Sequence, residues 1–436
     1  MFDVFINAWK VKEIRKKLYY ILLILIVYRV GCHIGLPSIK AGYVTGQSGV
    51  EASLFAVITG GGQGTIFAMG IGPYITSSII LQLLTVAIPR LEALNKEGEE
   101  GKKKINQYTR IAAVALALLQ ASGMVYSLNG SGAFQNPGWF TWIVAVTVLV
   151  TGTMFIMWIA ELLTEKGVGN GSSFIIFANI LSGLPRQLTS FYSVGMSQGA
   201  KMDMGAWGYV IVLAIALAIL AVFLGIIGFV IRVQDGERKI PVQYSKKMVG
   251  RQMVGGQQSF IPIKVNIAGV MSIIFAISLL QFPQTIQNFW QGNNVLDGIV
   301  KWLNIHHPFG AVVYVFLIFC FTFFYTSFSI NPIEMAENLK KNAGFIPGIR
   351  PGKPTSDYIQ RTISRLSWVG AIFYSVIAMI PVVLQWILQW IINDPETKIS
   401  VGFGGTTLLI VTGVAIELVK QIESQLLMRH HKGFLS

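Results

Sequence analysis

Charge is the scarcest commodity in this chain. Only 12% of its 436 residues are Asp, Glu, Lys or Arg, about half the ~25% of an ordinary soluble domain. Hydrophobic residues make up 53% and the mean hydropathy is +0.60. These values exclude a soluble globular protein and predict an integral membrane protein. Cysteine is scarce as well: Cys32 and Cys320 both fall inside apolar runs, so no disulfide framework or zinc site is readable. The five histidines show no ligand spacing, and His306-His307 and His430-His431 read as loop and tail residues. Catalytic signatures are missing. Nothing matches a phosphate-binding loop, H-E-x-x-H or a nucleophile elbow, and no Ser/His/Asp set can be assembled. The run Gly167-Val168-Gly169-Asn170-Gly171-Ser172 is glycine-rich but has no strand before it, and close helix packing accounts for it. The expectation is a protein without enzymatic activity, cofactor or metal.

Ionisable groups inside apolar runs are equally rare. Arg29 is the clear case, with Glu161, Glu417 and Lys420 near run ends. Ion-coupled pumps need intramembrane carboxylates for their relays. Their scarcity argues against a proton-driven transporter and suits a conduit driven from elsewhere. Strand-period alternation is absent too, which argues against a membrane β-barrel.

What is present is apolar length. A helical span needs about 20 such residues. Ten runs qualify, at about 19–36, 73–90, 110–128, 139–162, 172–189, 207–231, 266–283, 310–330, 367–390 and 405–426. The fifth is the weakest, interrupted by Asn179 and Ser182 and ended by Pro185. No small-residue cleavage site follows the first run, so it reads as a span and not a removable signal. Ahead of it, residues 1–17 combine Phe2, Phe5, Ile6 and Trp9 with Lys10, Lys12, Arg15, Lys16 and Lys17, which predicts an amphipathic helix lying in the interface.

Basic residues set the orientation. Of the 34 Lys and Arg, 28 fall in the N-terminus, the even-numbered loops and the tail, and 5 in the odd-numbered loops. The richer side is cytoplasmic, which puts both termini inside, as an even number of spans requires. Ten spans divide into 1–190 and 207–436 about an external loop at 191–206. Five per half makes the second half enter the membrane in the opposite sense, so an inverted repeat is permitted. The net charge of +14 enforces topology and meets anionic lipids in part. The loops 232–265 and 331–366 exceed what topology needs. Their prolines, aromatics and mixed charges predict ordered projections facing a large acidic partner, though a solvated loop would also carry such charge.

The chain is organised around IFAMGIGPYITSSIILQLL at 66–84. Gly70, Gly72 and Pro73 break its head, and Thr59-Gly60-Gly61-Gly62-Gln63-Gly64 precedes it. Glycine turns cheaply and proline starts helices without tolerating their interior. The pattern predicts a half-inserted segment over about 52–67 that folds back before a full span begins at Pro73. A polar outer loop with a frayed helix start fits the same residues. Irregular backbone at membrane depth needs protein or a watery cavity around it.

Seven stretches, in order, are similar to the SecY family of protein-translocase channel subunits: residues 66–84, KEGEEGKKKINQYTR at 96–110, GNGSS at 169–173, ERKIPVQYSKK at 237–247, KVNIAGV at 264–270, NPIEMAENLKKNAGFIPGIRPG at 331–352 and GGTTLLIV at 404–411. The resemblance runs nearly end to end. It implies an all-α membrane protein of ten helices, in two inverted five-helix halves around an hourglass pore. It places a plug in the half-inserted segment, including Leu54, Phe55, Ile58, Gly60, Gly61 and Gly62. Its apolar pore ring falls on Ile75, Ile79, Ile176, Ile180, Ile274 and Ile410. The pairs Ile75/Ile79 and Ile176/Ile180 each lie on one helix face, and branched apolar side chains at a waist exclude water and ions. Lipid-facing isoleucines would show the same spacing.

A lateral gate is implied between the spans at 73–90 and 266–283, with Thr85, Gln120 and Asn266 where the gate helices meet. Polar contacts of that kind are worth only about 0.6–2 kcal/mol in lipid. Arg238, Lys239, Lys246, Lys247, Arg251 and Arg350 fall where the family docks the ribosome or the SecA motor. SecE, SecG and signal-bearing preproteins are further implied partners, and the bacterial plasma membrane the implied location. One position departs from the pattern. Met271-Ser272 stand where the family commonly has a proline, so a straighter helix is expected there, with consequences for the facing of Ile274. A secondary transporter, or an insertase without a through-pore, are the competing classes. The first lacks coupling carboxylates, and the second leaves the plug-like segment unexplained.

Overall fold

The computed structural model describes residues 9–40, 43, 62, 64–183, 221, 224–244, 247–249, 252–254, 258–287, 294–305, 307–392 and 405–432. Its helices, in chain order, are α1 (Lys12–Gly31), α2 (Gly72–Ala87), α3 (Pro89–Lys96), α4 (Glu99–Gly130) and α5 (Trp139–Lys166). Two short apolar helices follow, α6 (Gly171–Gly183) and α7 (Leu224–Gln234). Then come α8 (Met271–Gln287), α9 (Asn294–Leu303), α10 (Pro308–Ser329), α11 (Pro332–Lys341), α12 (Lys353–Ile392) and α13 (Gly405–Lys432). Each of the ten apolar runs coincides wholly or partly with one of these helices, the sixth only through α7. Among the described residues, α4, α5, α12 and α10 with its continuation into α11 are long and apolar enough to cross a membrane.

Proline explains the sharpest bend. α2 and α3 meet at 100°, where Pro89 opens α3 and Ile88 is held extended. Proline forces the residue before it out of helical geometry, so α2 ends at Ala87. A second proline is used constructively. Asn331 caps α11, its Oδ1 accepting from the Ile333 N–H at 3.1 Å, with Pro332 in the first turn. That proline has no N–H to leave unpaired and starts a helix at low cost.

Small residues let the N-terminal helices close up. Ala113, Ala117 and Ala121 on α4 are fully buried, a stripe at i, i+4, i+8 that lets backbones approach. The Ser77 hydroxyl donates to the Thr109 carbonyl at 2.7 Å, pinning α2 to α4. The glycine-rich run before α6 packs as expected: a Cβ at Gly171 would collide with the Ala160 carbonyl on α5.

Three expectations change. Residues 12–17 do not form a separate interfacial helix, since Lys12 to Gly31 is one continuous α1. No helix breaker separates the basic residues from the apolar run. Residues 1–8 lie outside the described residues. The seventh helix starts at Met271, not 266, after Gly269 at φ 60°. Met271-Ser272 therefore stand in its first turn, where a missing proline has no interior kink to remove. The loop 232–265 carries strands: β1 (Glu237–Tyr244), β2 (Lys247–Val249), β3 (Gln252–Val254) and β4 (Gln258–Lys264). β1 lies between β4 and β5 (Gly344–Phe345), antiparallel to both.

Candidate functional site

The six isoleucines of the expected pore ring come from four helices. Ile176 and Ile180 on α6, Ile274 on α8 and Ile410 on α13 are all buried in one apolar cluster with Tyr28 and Phe67, and Ile75 on α2 packs against it. Ile79 is buried in the neighbouring cluster, with Ile273 and Ile277 of α8 and Leu409 of α13. Four residues advance a helix by about 6 Å, enough to carry Ile79 past the first cluster. Ile75 and Met271 touch both clusters. The five buried isoleucines pack against protein and do not line open water.

Phe67 seats the segment entering the waist. Its ring stacks between Tyr28 of α1 at 5.7 Å and Phe155 of α5 at 5.9 Å. A Cβ at Gly31 would strike that ring, and one at Gly152 would strike the Ile66 carbonyl. The slot thus exists because both helices carry glycine at the contact. Thr65 to Met69 are turns, not helix, with Ile66 half-buried and the other four buried. Gly35 and Thr65 form an isolated bridge. Irregular backbone here is wrapped in protein, which satisfies its polar groups. Of the plug residues, Gly62 is described and its carbonyl accepts from the Thr65 N–H and hydroxyl. Leu54, Phe55, Ile58, Gly60 and Gly61 lie outside the described residues. The slot itself was missed from the sequence, although Phe67 stands inside the central stretch; two distant glycines gave no local signal.

α8 meets both α2 and α4, which puts the three helices of the expected gate in contact. Thr85 is buried, and its hydroxyl donates to Leu81 O of its own helix at 2.7 Å. Gln120 is half-buried on α4. Asn266 stands in the turn before α8, its Oδ1 accepting from the Gly269 N–H at 2.8 Å.

Of the basic residues, Arg238 and Lys239 sit in a three-stranded sheet. β1 joins the two long loops, pairing with β4 from the first and with β5 from the second. Beneath it Ile240, Val242 and Ile263 pack on Leu339, Ile346, Ile359 and Ile363. Ile240 and Val242 are buried while Lys239 and Pro241 are exposed, the period-two signature of a half-buried strand; Arg238, nearer the strand's start, is exposed as well. Arg350 is exposed, and its carbonyl accepts from Thr355 Oγ1 at 2.8 Å. Lys247 lies in β2, with Lys246 and Arg251 outside the described residues. At the base of the sheet, Lys420 of α13 pairs with Asp235 at 3.0 Å and reaches Glu237 at 4.0 Å. Among the described residues no cluster of His, Cys, Asp or Glu could hold a metal.

This helical architecture is shared with solved membrane channels. One titled "The structure of a protein conducting channel" superposes with a TM-score of 0.64 at 19% identity, covering 95% of this chain and 93% of the other. Sec61 in the canine ribosome-channel complex gives 0.59 at 17% identity, with the same coverage. A family model described as SecY matches residues 65–419. Protein translocase subunit SecY of Halalkalibacterium halodurans is 43% identical over 442 residues, and that of Bacillus subtilis 40% over 444, each alignment covering both chains fully. The chain belongs to the SecY family.

Proposed function

We propose that this chain forms the protein-conducting channel of the general secretory pathway, passing unfolded preproteins across the bacterial plasma membrane and releasing membrane segments sideways into lipid. The observation that carries this reading is the apolar waist, to which α2, α6, α8 and α13 all contribute isoleucine. Such a ring seals against ions yet yields to a polypeptide, because no polar group at it must be desolvated or left unpaired. In this reading residues 52–67 are the plug, the spans at 73–90 and 266–283 part as the lateral gate, and 191–206 hinge the halves 1–190 and 207–436. Both termini are cytoplasmic, as the basic loops favour.

The sheet carrying Arg238 and Lys239, with Arg350 in the loop after β5, serves as the docking surface for the SecA motor or the ribosome. The ribosome-bound state of the canine neighbour supports the second. Attraction of Lys and Arg to RNA weakens steeply with salt. SecE and SecG are the small membrane partners in this reading, and the chain itself performs no catalysis.

The test is a crosslink. A photoreactive side chain is placed at Ile79, or separately at Ile274, and a secretory precursor is stalled midway. Adducts from both positions to the stalled chain are expected. Lipid adducts alone from both would overturn the pore assignment.

A further inference from the structure

α9 stands apart from the other helices. At ten residues it is about 15 Å long, half the ~30 Å hydrocarbon thickness, and cannot span it. Its sequence, Asn-Val-Leu-Asp-Gly-Ile-Val-Lys-Trp-Leu, puts Val295, Ile299 and Trp302 at i, i+4 and i+7, on one face. All three are exposed, at 69%, 44% and 56%. On the opposite face, Asp297 accepts from Gln287 Nε2 at 2.6 Å, tying α9 to the end of α8, and Lys301 is exposed. Leu303 packs inward on the apolar core of the C-terminal half. α9 is thus anchored by one flank while a full apolar stripe is left uncovered among the described residues.

That stripe does not end with the helix. The Trp302 ring meets Phe309 edge-on at 5.9 Å. Phe309, Val312 and Phe316 continue along α10 at i, i+3 and i+7, all exposed. α10 is one of the helices long and apolar enough to cross the bilayer, so its exposed apolar face is a lipid face. An open groove between the two helices is lined by Val295, Gly298, Ile299, Trp302, Leu303 and Phe309. Its wall is therefore one end of a lipid-facing surface.

We propose that α9 is an interfacial anchor, with Val295, Ile299 and Trp302 immersed in the acyl boundary of the leaflet opposite the basic loops. The occupant of the groove is phospholipid. Continuity with the α10 face selects lipid over a protein partner, and an exposed tryptophan beside charged residues has the composition of a membrane-interface belt. A short helix with one apolar stripe and a charged back lies in the interface plane. This rests on the reading of α10 as a membrane span.

The test uses the full chain in phospholipid nanodiscs, with Cys32→Ser and Cys320→Ser. An environment-sensitive fluorophore is attached at Ile299→Cys, at Val295→Cys in a second sample, at Lys301→Cys on the opposite face, and at Val312→Cys on α10. The quenchers are lipids spin-labelled near the headgroup or deep in the chain, and aqueous iodide. Shallow-label quenching at 295 and 299 at least threefold stronger than deep-label quenching is expected, with iodide quenching at least threefold weaker than at 301. Iodide quenching at 295 and 299 equal to that at 301 would overturn the proposal, leaving the stripe in water. Shielding from both iodide and spin-labelled lipid would also overturn it, the cover then being protein. The Val312 label separates the two readings: if lipid fails to quench it, the span assignment falls, not the anchor alone.

Discussion

The two halves of the proposed reading meet along two lines that are built differently. On one, α13 faces the N-terminal half with Ile410, Val414 and Ile422 buried against residues of α1, α5 and α6. Polar side chains also reach across. Lys17 Nζ donates to Gln425 Oε1 at 3.4 Å, and Gln421 lies against Gly169. On the other, α8 lies against α2 and α4 through Ile79, Ile273 and Ile277. Two of its polar residues bond locally: Thr85 its own helix and Asn266 its own turn. Lipid tails are as apolar as leucine, so helices gain little in a bilayer from hydrophobic contact alone. A seam of apolar contacts can exchange protein for lipid without orphaning a hydrogen bond, whereas the seam at α13 cannot. This composition favours the α8 seam as the one that parts in the proposed reading.

The strongest way to break that comparison is to weld each seam in turn. With both native cysteines removed, a short bifunctional maleimide joining Ile79→Cys to Ile277→Cys is expected to cut precursor translocation at least tenfold. The same reagent joining Lys17→Cys to Gln425→Cys is expected to cost less than twofold. The reverse order in a vesicle import assay would sink the assignment. Next in size, Arg350→Glu leaves both seams untouched and is expected to reduce translocation about tenfold while the chain inserts and accumulates normally. Normal secretion by that variant would remove Arg350 from the docking surface. Gly152→Leu drives a side chain into the Ile66 carbonyl and the Phe67 slot. Overpacking of this kind costs about 1–3 kcal/mol, read as a lower unfolding midpoint in detergent, with a rise in resting ion leak. Smallest is Lys17→Ala. Losing one tie costs under about 1 kcal/mol, and a larger shift in the unfolding midpoint would show that the α13 seam depends on it.

The helices were legible in the sequence because apolar length and basic-loop bias act on whole segments and survive local detail. The six isoleucines were singled out only by motif, and what the structure shows of them is burial in two apolar clusters. The i, i+4 spacing of Ile176 and Ile180 marks a face but not what that face meets, and the separation of Ile79 from Ile75 depends on where α8 and α13 arrive. The sheet could have been read: Ile240 and Val242 alternate with polar neighbours in Glu237 to Tyr244. Two prolines hid it, Pro241 opposite Phe260 and Pro262 opposite Lys239, and they are tolerated because β1 and β4 still align around them. α9 went unnoticed because ten residues are too few for a span and the external loops were read for charge alone.

The length of α12 has a consequence for Arg350 at its foot. Forty residues make a rod of about 60 Å, roughly twice the hydrocarbon thickness. The expected span begins near 367, so the fourteen residues from Lys353 to Leu366 stand about 20 Å clear of the hydrocarbon if the rod is upright. The field of anionic headgroups decays over about 8 Å at physiological salt. Arg350, just past the far end of that rod, is then held beyond its reach, whereas the sheet flanks the rod nearer the membrane, at Ile359 and Ile363. In the proposed reading the Arg350 charge is left unclaimed by lipid and open to a large acidic partner from solution.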